Sequence, residues 1–257
     1  MDIATSLMLL AAGVAGGALS ALVGGASLIL FPAMLAAGIP PVMAVASNTA
    51  AITPGNFLAA LADRSQLPKF DRGFLVLLAV SLVAASAGAI LLMLTPERMF
   101  ELLVPLLLGF GTLLFAYANS IGAWLGRLSF GKSKSTLHPN AVGIGMMVPV
   151  SIYGGYFGAG VGVLLIAALS VASGGGYRAA NVTKNFVGSL NNVAAALIFA
   201  SQGMIAWIPT LLVAAGAIGG GLAGAHVARI LPLAAARGLV ICFGALLTGI
   251  YAWRYWI

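Results

Sequence analysis

The residues of this chain best equipped for chemistry stand together in Asn181 to Asn192, NVTKNFVGSLNN, which sets a lysine and four asparagines into an otherwise apolar run. An ammonium and several carboxamides supply hydrogen-bond donors and one positive charge, a set suited to holding an anion. If Gly176 to Ala200 is a helix, each residue turns by about 100°, and Asn181, Lys184, Asn185, Gly188, Asn191 and Asn192 share an arc of about 120°. Lys184 lies about 12 Å of helix rise in from Gly176, too deep for its stem to snorkel easily to water. A cation at that depth faces a wet, polar or ligand-filled cavity. The expectation is an intramembrane anion site centred on Lys184.

A second polar stretch, SNTAAITPGN at Ser47 to Asn56, offers neutral partners. On a helix Thr49, Thr53 and Asn56 fall within about 60°, with Asn48 to one side, and Pro54 takes the usual partner from the Ala50 carbonyl. Two glycine clusters, VGGAS at Val23 to Ser27 and GGYFGAGVG at Gly154 to Gly162, allow sharp turns whose backbone N–H groups cradle anions. Gly24, Gly25, Gly158 and Gly160 therefore join the candidate substrate-binding set. For any one Asn, Ser or Thr, hydrogen bonding between membrane helices is an equally good reading; for Lys184 the cost of burial favours function. The acids set the sign of the cargo. Asp2, Asp63, Asp71, Glu97 and Glu101 are all of them, and each falls in or within a turn of an expected loop, whereas a cation pump or proton relay wants carboxylates at mid-membrane.

Other patterns carry less. GGGLAG at Gly219 to Gly224 matches a dinucleotide fingerprint with no strand before it, and the four-residue spacing of Gly216, Gly220 and Gly224 reads as a helix-packing face. His138 and His226 have no acidic or cysteine partner nearby, so neither a metal nor a catalytic site is expected and no cofactor is called for. Cys242, the only cysteine, reads as a small buried apolar residue. An integral membrane enzyme acting on a lipid would need a nucleophile, metal ligands or an acid–base pair on facing segments, and none is offered.

These residues need a membrane scaffold to hold them. The chain is 61% hydrophobic and 7% charged, against about 25% charged in soluble domains. Its basic residues are scattered between apolar spans, so the net charge of +7 implies no nucleic-acid partner. Asp2 precedes the first span with no Lys or Arg, which argues against a cleaved signal peptide. Apolar segments are expected at about 3–23, 25–37, 41–61, 73–94, 97–118, 139–157, 159–172, 177–200, 204–226 and 236–253. The segments 25–37 and 159–172 are shorter than the roughly 20 residues of a crossing helix, and each follows a glycine cluster, so each folds back as part of a broken or re-entrant pair. With that reading Arg64, Lys69, Arg72, Arg127, Lys132, Lys134, Arg178, Arg229 and Arg237 gather on one side and only Arg98 and Arg254 on the other, the bias of cytoplasmic loops. Both termini are then outside and the loop Asn119 to His138 inside.

Ten segments divide into two blocks of five, and an odd number inverts the second block. A shift of 134 positions matches Gly24 to Gly158, Ala46 to Ala180 and Thr49 to Thr183. The fold class expected is therefore an all-α polytopic membrane protein of 8–10 transmembrane segments, with repeats over residues 1–118 and 139–257 joined by a cytoplasmic linker, 119–138.

The glycine turns, the loop GIPP followed by AVASNTAA, and GAGVGVLLIAALS followed by RAANVTKNFVGSLNNVAAALIF resemble the TauE/SafE family of sulfite and organosulfonate exporters, also called TSUP. The likeness spans nearly the whole chain as two copies of the family domain. It implies a multi-pass permease of the bacterial or archaeal inner membrane moving a small sulfur-containing anion such as sulfite, sulfoacetate or thiosulfate, with other small organic anions as the alternative and a homodimer left open. The sequence departs from the common form where the first turn has Gly24-Gly25 followed by Ala26-Ser27 in place of a longer glycine run, and where Ser47-Asn48 replaces Thr-Ser.

Overall fold

The computed structural model describes residues 1–22, 25–118, 120, 141–173, 177–227 and 233–257. The expected linker 119–138 with His138 lies outside them apart from Ser120, as do Gly24 and the centre of the SGGGY loop, 174–176. The described residues form ten α-helices: α1 Ile3–Leu22, α2 Ser27–Ala36, α3 Pro41–Ala62, α4 Arg72–Leu94, α5 Glu97–Ala116, α6 Ala141–Tyr156, α7 Val161–Ser173, α8 Tyr177–Ser201, α9 Trp207–Val227 and α10 Leu233–Trp256. No strand occurs among the described residues. The apolar runs of the sequence thus become helices with ends within a few residues of those expected.

Local chemistry places several of those ends. Pro41 opens α3, where a missing N–H costs nothing because the first turn has no intrahelical partner. The Asp71 carboxylate caps α4 by accepting from the Phe74 N–H at 2.8 Å. The short helices α2 and α7 begin at turns built on Gly25, Gly158 and Gly160, whose φ angles are +90°, +77° and +76°, a region that side-chain-bearing residues avoid. Both turns rest on α5: the Phe115 ring fills the space beside Gly25, and Gly111 and Gly160 meet backbone to backbone. The Tyr153 hydroxyl ties α6 to the second turn by donating to the Ala159 carbonyl at 2.6 Å.

The helices pack in a pattern that is nearly unchanged when each of the first five is exchanged for the helix five later. α1 packs on α9 as α6 packs on α4; α3 on α9 as α8 on α4; α2 on α10 as α7 on α5; and the pairs α1–α2, α2–α3 and α1–α3 recur as α6–α7, α7–α8 and α6–α8. The contacts of α3 and of α2 with α5 lack a counterpart of similar weight. The exchanged partners α3 and α8 also pack on each other, and they run antiparallel: Asp63 just past the end of α3 pairs with Arg178 at the start of α8 at 2.7 Å, while Ser47 near the start of α3 accepts from the Ala206 N–H beyond the end of α8 at 2.9 Å. α5 and α10 are antiparallel too, since Gly109 meets Thr248, Gly244 meets Thr112, and the Trp256 indole donates to the Leu102 carbonyl.

The core runs through the broken helices, with the Phe31, Phe100 and Phe157 rings interlocked edge to face or tilted. Outside it, Val83, Leu94, Leu197, Leu239 and Trp253 are among many large apolar side chains facing outward, an exterior suited to hydrocarbon. Among the described residues four helices, within α1, α4, α5 and α10, are by length and composition long and apolar enough to cross a membrane. The chain is a multi-pass, all-helical membrane protein.

Candidate functional site

Where the two short helices begin, their first turns face a shared cavity of about 60 Å³, room for a few waters or one small oxyanion. α2 contributes Gly25, Ala26 and Ser27 from its start, and the turn into α7 contributes Gly158, Gly160, Val161 and Gly162. α3 lends Asn48, Thr49, Ile52 and Asn56; α8 lends Lys184, Gly188, Asn191 and Asn192. Ser20 of α1 and Ser151 of α6 complete the polar wall.

Lys184 is only 5% exposed. Its side chain lies along the first turn of α7, where a Cβ on Gly162 would stand 3.6 Å from the lysine Cδ and 4.0 Å from Nζ. The ammonium thus sits at the positive end of a helix, with the start of α2 facing the same space, and each end carries partial positive charge although turn bonds already hold the N–H groups of Leu28, Ile29, Val161 and Val163. The ion pairs among the described residues are Arg98–Glu101 and Arg178–Asp63, and Lys184 takes part in neither. Positive potential accumulates here from three sources and no carboxylate balances it.

The neutral residues divide by what already holds them. The Asn191 Nδ2 donates to Ser81 Oγ at 2.7 Å, and Ser81 and Ser151 share a hydrogen bond of 2.9 Å, so Asn191 lines the cavity with its amide committed. Asn56 accepts from the Ser20 hydroxyl at 2.9 Å. Asn48 is buried, its Nδ2 at 3.0 Å from Ser27 Oγ and its Oδ1 without a partner. Because a hydroxyl can donate or accept, turning the amide over keeps the Ser27 bond and puts an NH₂ in place of the buried, unpartnered oxygen.

Nine of the thirteen expected site residues line the cavity: Lys184, Asn191, Asn192, Asn48, Thr49, Asn56, Gly25, Gly158 and Gly160. Thr53 does not; its hydroxyl donates to the Thr49 carbonyl at 2.7 Å, because α3 turns its Asn48 side and not its Thr53 side inward. Asn185 stands about 100° around α8 from Lys184 and is buried outside the cavity with its Oδ1 unpartnered. Asn181 shares the right face but lies nearly a turn nearer the helix start, and it too is absent from the lining. Gly24 is outside the described residues. Sequence reasoning missed Ser20, Ser27 and Ser151; the available signal was a serine within or just ahead of each glycine turn.

Lining positions of α3 and α8 correspond at 136 residues, Asn48 with Lys184, Ile52 with Gly188 and Asn56 with Asn192, whereas the starts of α2 and α7 correspond at the expected 134. The difference arises because the second half carries two more residues between those points.

The family model described as "Sulfite exporter TauE/SafE" matches residues 9–251. A relative from Sinorhizobium, "Probable membrane transporter protein ORF9", is 26% identical over 82% of this chain and 78% of its own. A "Probable membrane transporter protein" from Haemophilus influenzae is 24% identical over 96% of this chain and 95% of its own. No solved structure matches the chain significantly.

Proposed function

Because this chain belongs to the TauE/SafE family, and so is a membrane transporter of that type, we propose that its cargo is a small sulfur-containing anion, sulfite or a short organosulfonate, held beside Lys184 and exported across a bacterial inner membrane. One observation carries the reading: a buried ammonium at the start of α7, facing the start of α2, with no carboxylate to neutralise it. An oxyanion supplies the missing charge, and its oxygens accept from the first-turn N–H groups, from Lys184 and from the Asn48 amide once turned over. Ser27, Thr49 and Asn192 add donors around it. Flux of radiolabelled sulfite or sulfoacetate into proteoliposomes is expected to exceed that of protein-free vesicles at least tenfold. No flux for any small sulfur anion tried would remove the substrate assignment while leaving the family intact.

The two halves, 1–118 and 139–257, are taken as inverted repeats, a reading supported by the exchangeable packing and by the antiparallel course of α3 and α8. With the basic residues counted as cytoplasmic, the expected topology has both termini outside. A reporter fused after Ile257 should therefore be active only if it works on the outer side; activity confined to a cytoplasm-dependent reporter would overturn the topology.

A further inference from the structure

The two ways out of the cavity are built differently. On one side it continues into a groove of about 210 Å³ between α1, α3 and α9, which shares Ser20, Ala26, Ile52 and Asn56 with the cavity and reaches Ala62 at the end of α3. The close glycine contacts give the register that superposes the halves: Gly17 meets Ala217 as Gly155 meets Ala85, and Gly220 meets Val14 as Gly88 meets Ile152. In that register Ser151 on α6 corresponds to Gly13 on α1, and Ser81 on α4 to Val213 on α9. The cavity-lining positions of α3 and α8 put Asn191 where α3 has Gly55.

Ser81 of the first half and Ser151 and Asn191 of the second thus occupy a place whose counterpart, between α1, α3 and α9, is left to two glycines and a valine. Ser81, Ser151 and Asn191 are buried, at 0%, 1% and 7% exposure, and joined in one hydrogen-bonded set. The consequences extend along the helix. Gly55 and Ala59 are half-buried and Ala62 exposed, while their equivalents Asn191 and Ala195 are buried and Ile198 is half-buried. Since α3 and α8 run antiparallel, the open groove and the filled space lead to opposite faces of the bundle.

We propose that Ser81, Ser151 and Asn191 are a latch that seals the cavity from the face at the end of α8, and that the anion leaves on that side only when the three side chains part. A polar latch suits the task better than an apolar plug. Its bonds hold in the closed, dry state, yet hydrogen bonds between membrane helices are individually modest, and once the helices separate water takes up the freed groups. Ser151 and Asn191 also line the cavity, so the occupant touches the latch directly. The proposal rests on the chain being a transporter and not on which anion it carries.

The test needs no substrate. Cys242, exposed on α10 and not buried as expected, is replaced by Ser, and single cysteines are placed at Ala59 in the groove and Ala195 in its sealed equivalent. In detergent, a polar maleimide should label Ala59→Cys quickly and Ala195→Cys slowly. Adding Ser81→Ala, which removes the central hydroxyl without touching the cavity wall, should speed Ala195→Cys labelling about tenfold, the worth of one or two lost hydrogen bonds, and slow that of Ala59→Cys. Ser151→Ala should act in the same direction and serves if Ser81→Ala does not fold. Unchanged labelling of Ala195→Cys in folded protein carrying either substitution would make the trio plain helix glue, and equal labelling of the two sites without them would show that no seal exists; either result overturns the latch.

Discussion

Lys184→Ala is expected to abolish anion binding while the protein stays folded. Removing one member of a buried charge pair costs about 2–5 kcal/mol of binding, so affinity should fall at least about thirtyfold and below detection for a weak ligand. Stability should move the other way or not at all, since an ammonium that is 5% exposed at the positive end of α7 is a charge the empty protein holds at a cost. The structural alternative makes the opposite forecast: a lysine balanced by backbone carbonyls would, on removal, lower the melting temperature and affect affinity only indirectly. Titration calorimetry beside melting curves separates the two. Unchanged affinity in Lys184→Ala would place the site at the glycine turns alone. Lys184→Arg keeps the charge but exchanges a compact ammonium for a wide planar fork. In a cavity of about 60 Å³ that fork occupies space the anion needs, so partial binding with most transport lost is the expected result.

The difference between Lys184 and its neighbours shows what a sequence of this kind reveals. A lysine within a membrane-length apolar run is conspicuous because its burial is expensive, and the same holds for the polar runs around Asn48 and Asn191. The helix ends were equally legible, since Pro41, Asp71 and the glycine turns act on the residues beside them. What could not be read was anything fixed by a partner helix. Which side of α3 faces inward depends on how α9 and α8 grip it, so Thr53 was placed in the site and Ile52 was not. Whether Asn191 binds cargo or holds helices depends on Ser81, a serine more than a hundred positions away in an otherwise apolar run. The starts of α2 and α7 lie at the 134-residue spacing read from the sequence while the lining positions of α3 and α8 lie at 136, because two extra residues near the SGGGY loop alter register without altering the order of segments.

The second large effect concerns the seam where α1 lies on α9. A Cβ added to Gly220 would land within contact distance of the Val14 carbonyl oxygen, and one added to Gly17 would strike the Ala217 carbonyl. Backbones this close depend on glycine, because lipid tails are as apolar as leucine and membrane helices associate through packing more than through burial. Gly219, one residue away on the same helix, has nothing within 4 Å of its Cβ position. Gly220→Ala should therefore force the helices apart, at the roughly 1–3 kcal/mol of an overpacked core or more, a fall in melting temperature of about 2–12 °C at the usual scaling for this chain length. Gly219→Ala should be neutral or slightly stabilising, since alanine is the better helix former. Combining Gly17→Ala with Gly220→Ala should cost less than the sum of the two, because the first separation already makes room for the second methyl. The measurement is thermal unfolding of the four variants in one detergent. Equal melting temperatures for Gly219→Ala and Gly220→Ala would mean that α1 and α9 do not meet backbone to backbone, and the register that equates Ser151 with Gly13 would lose its footing.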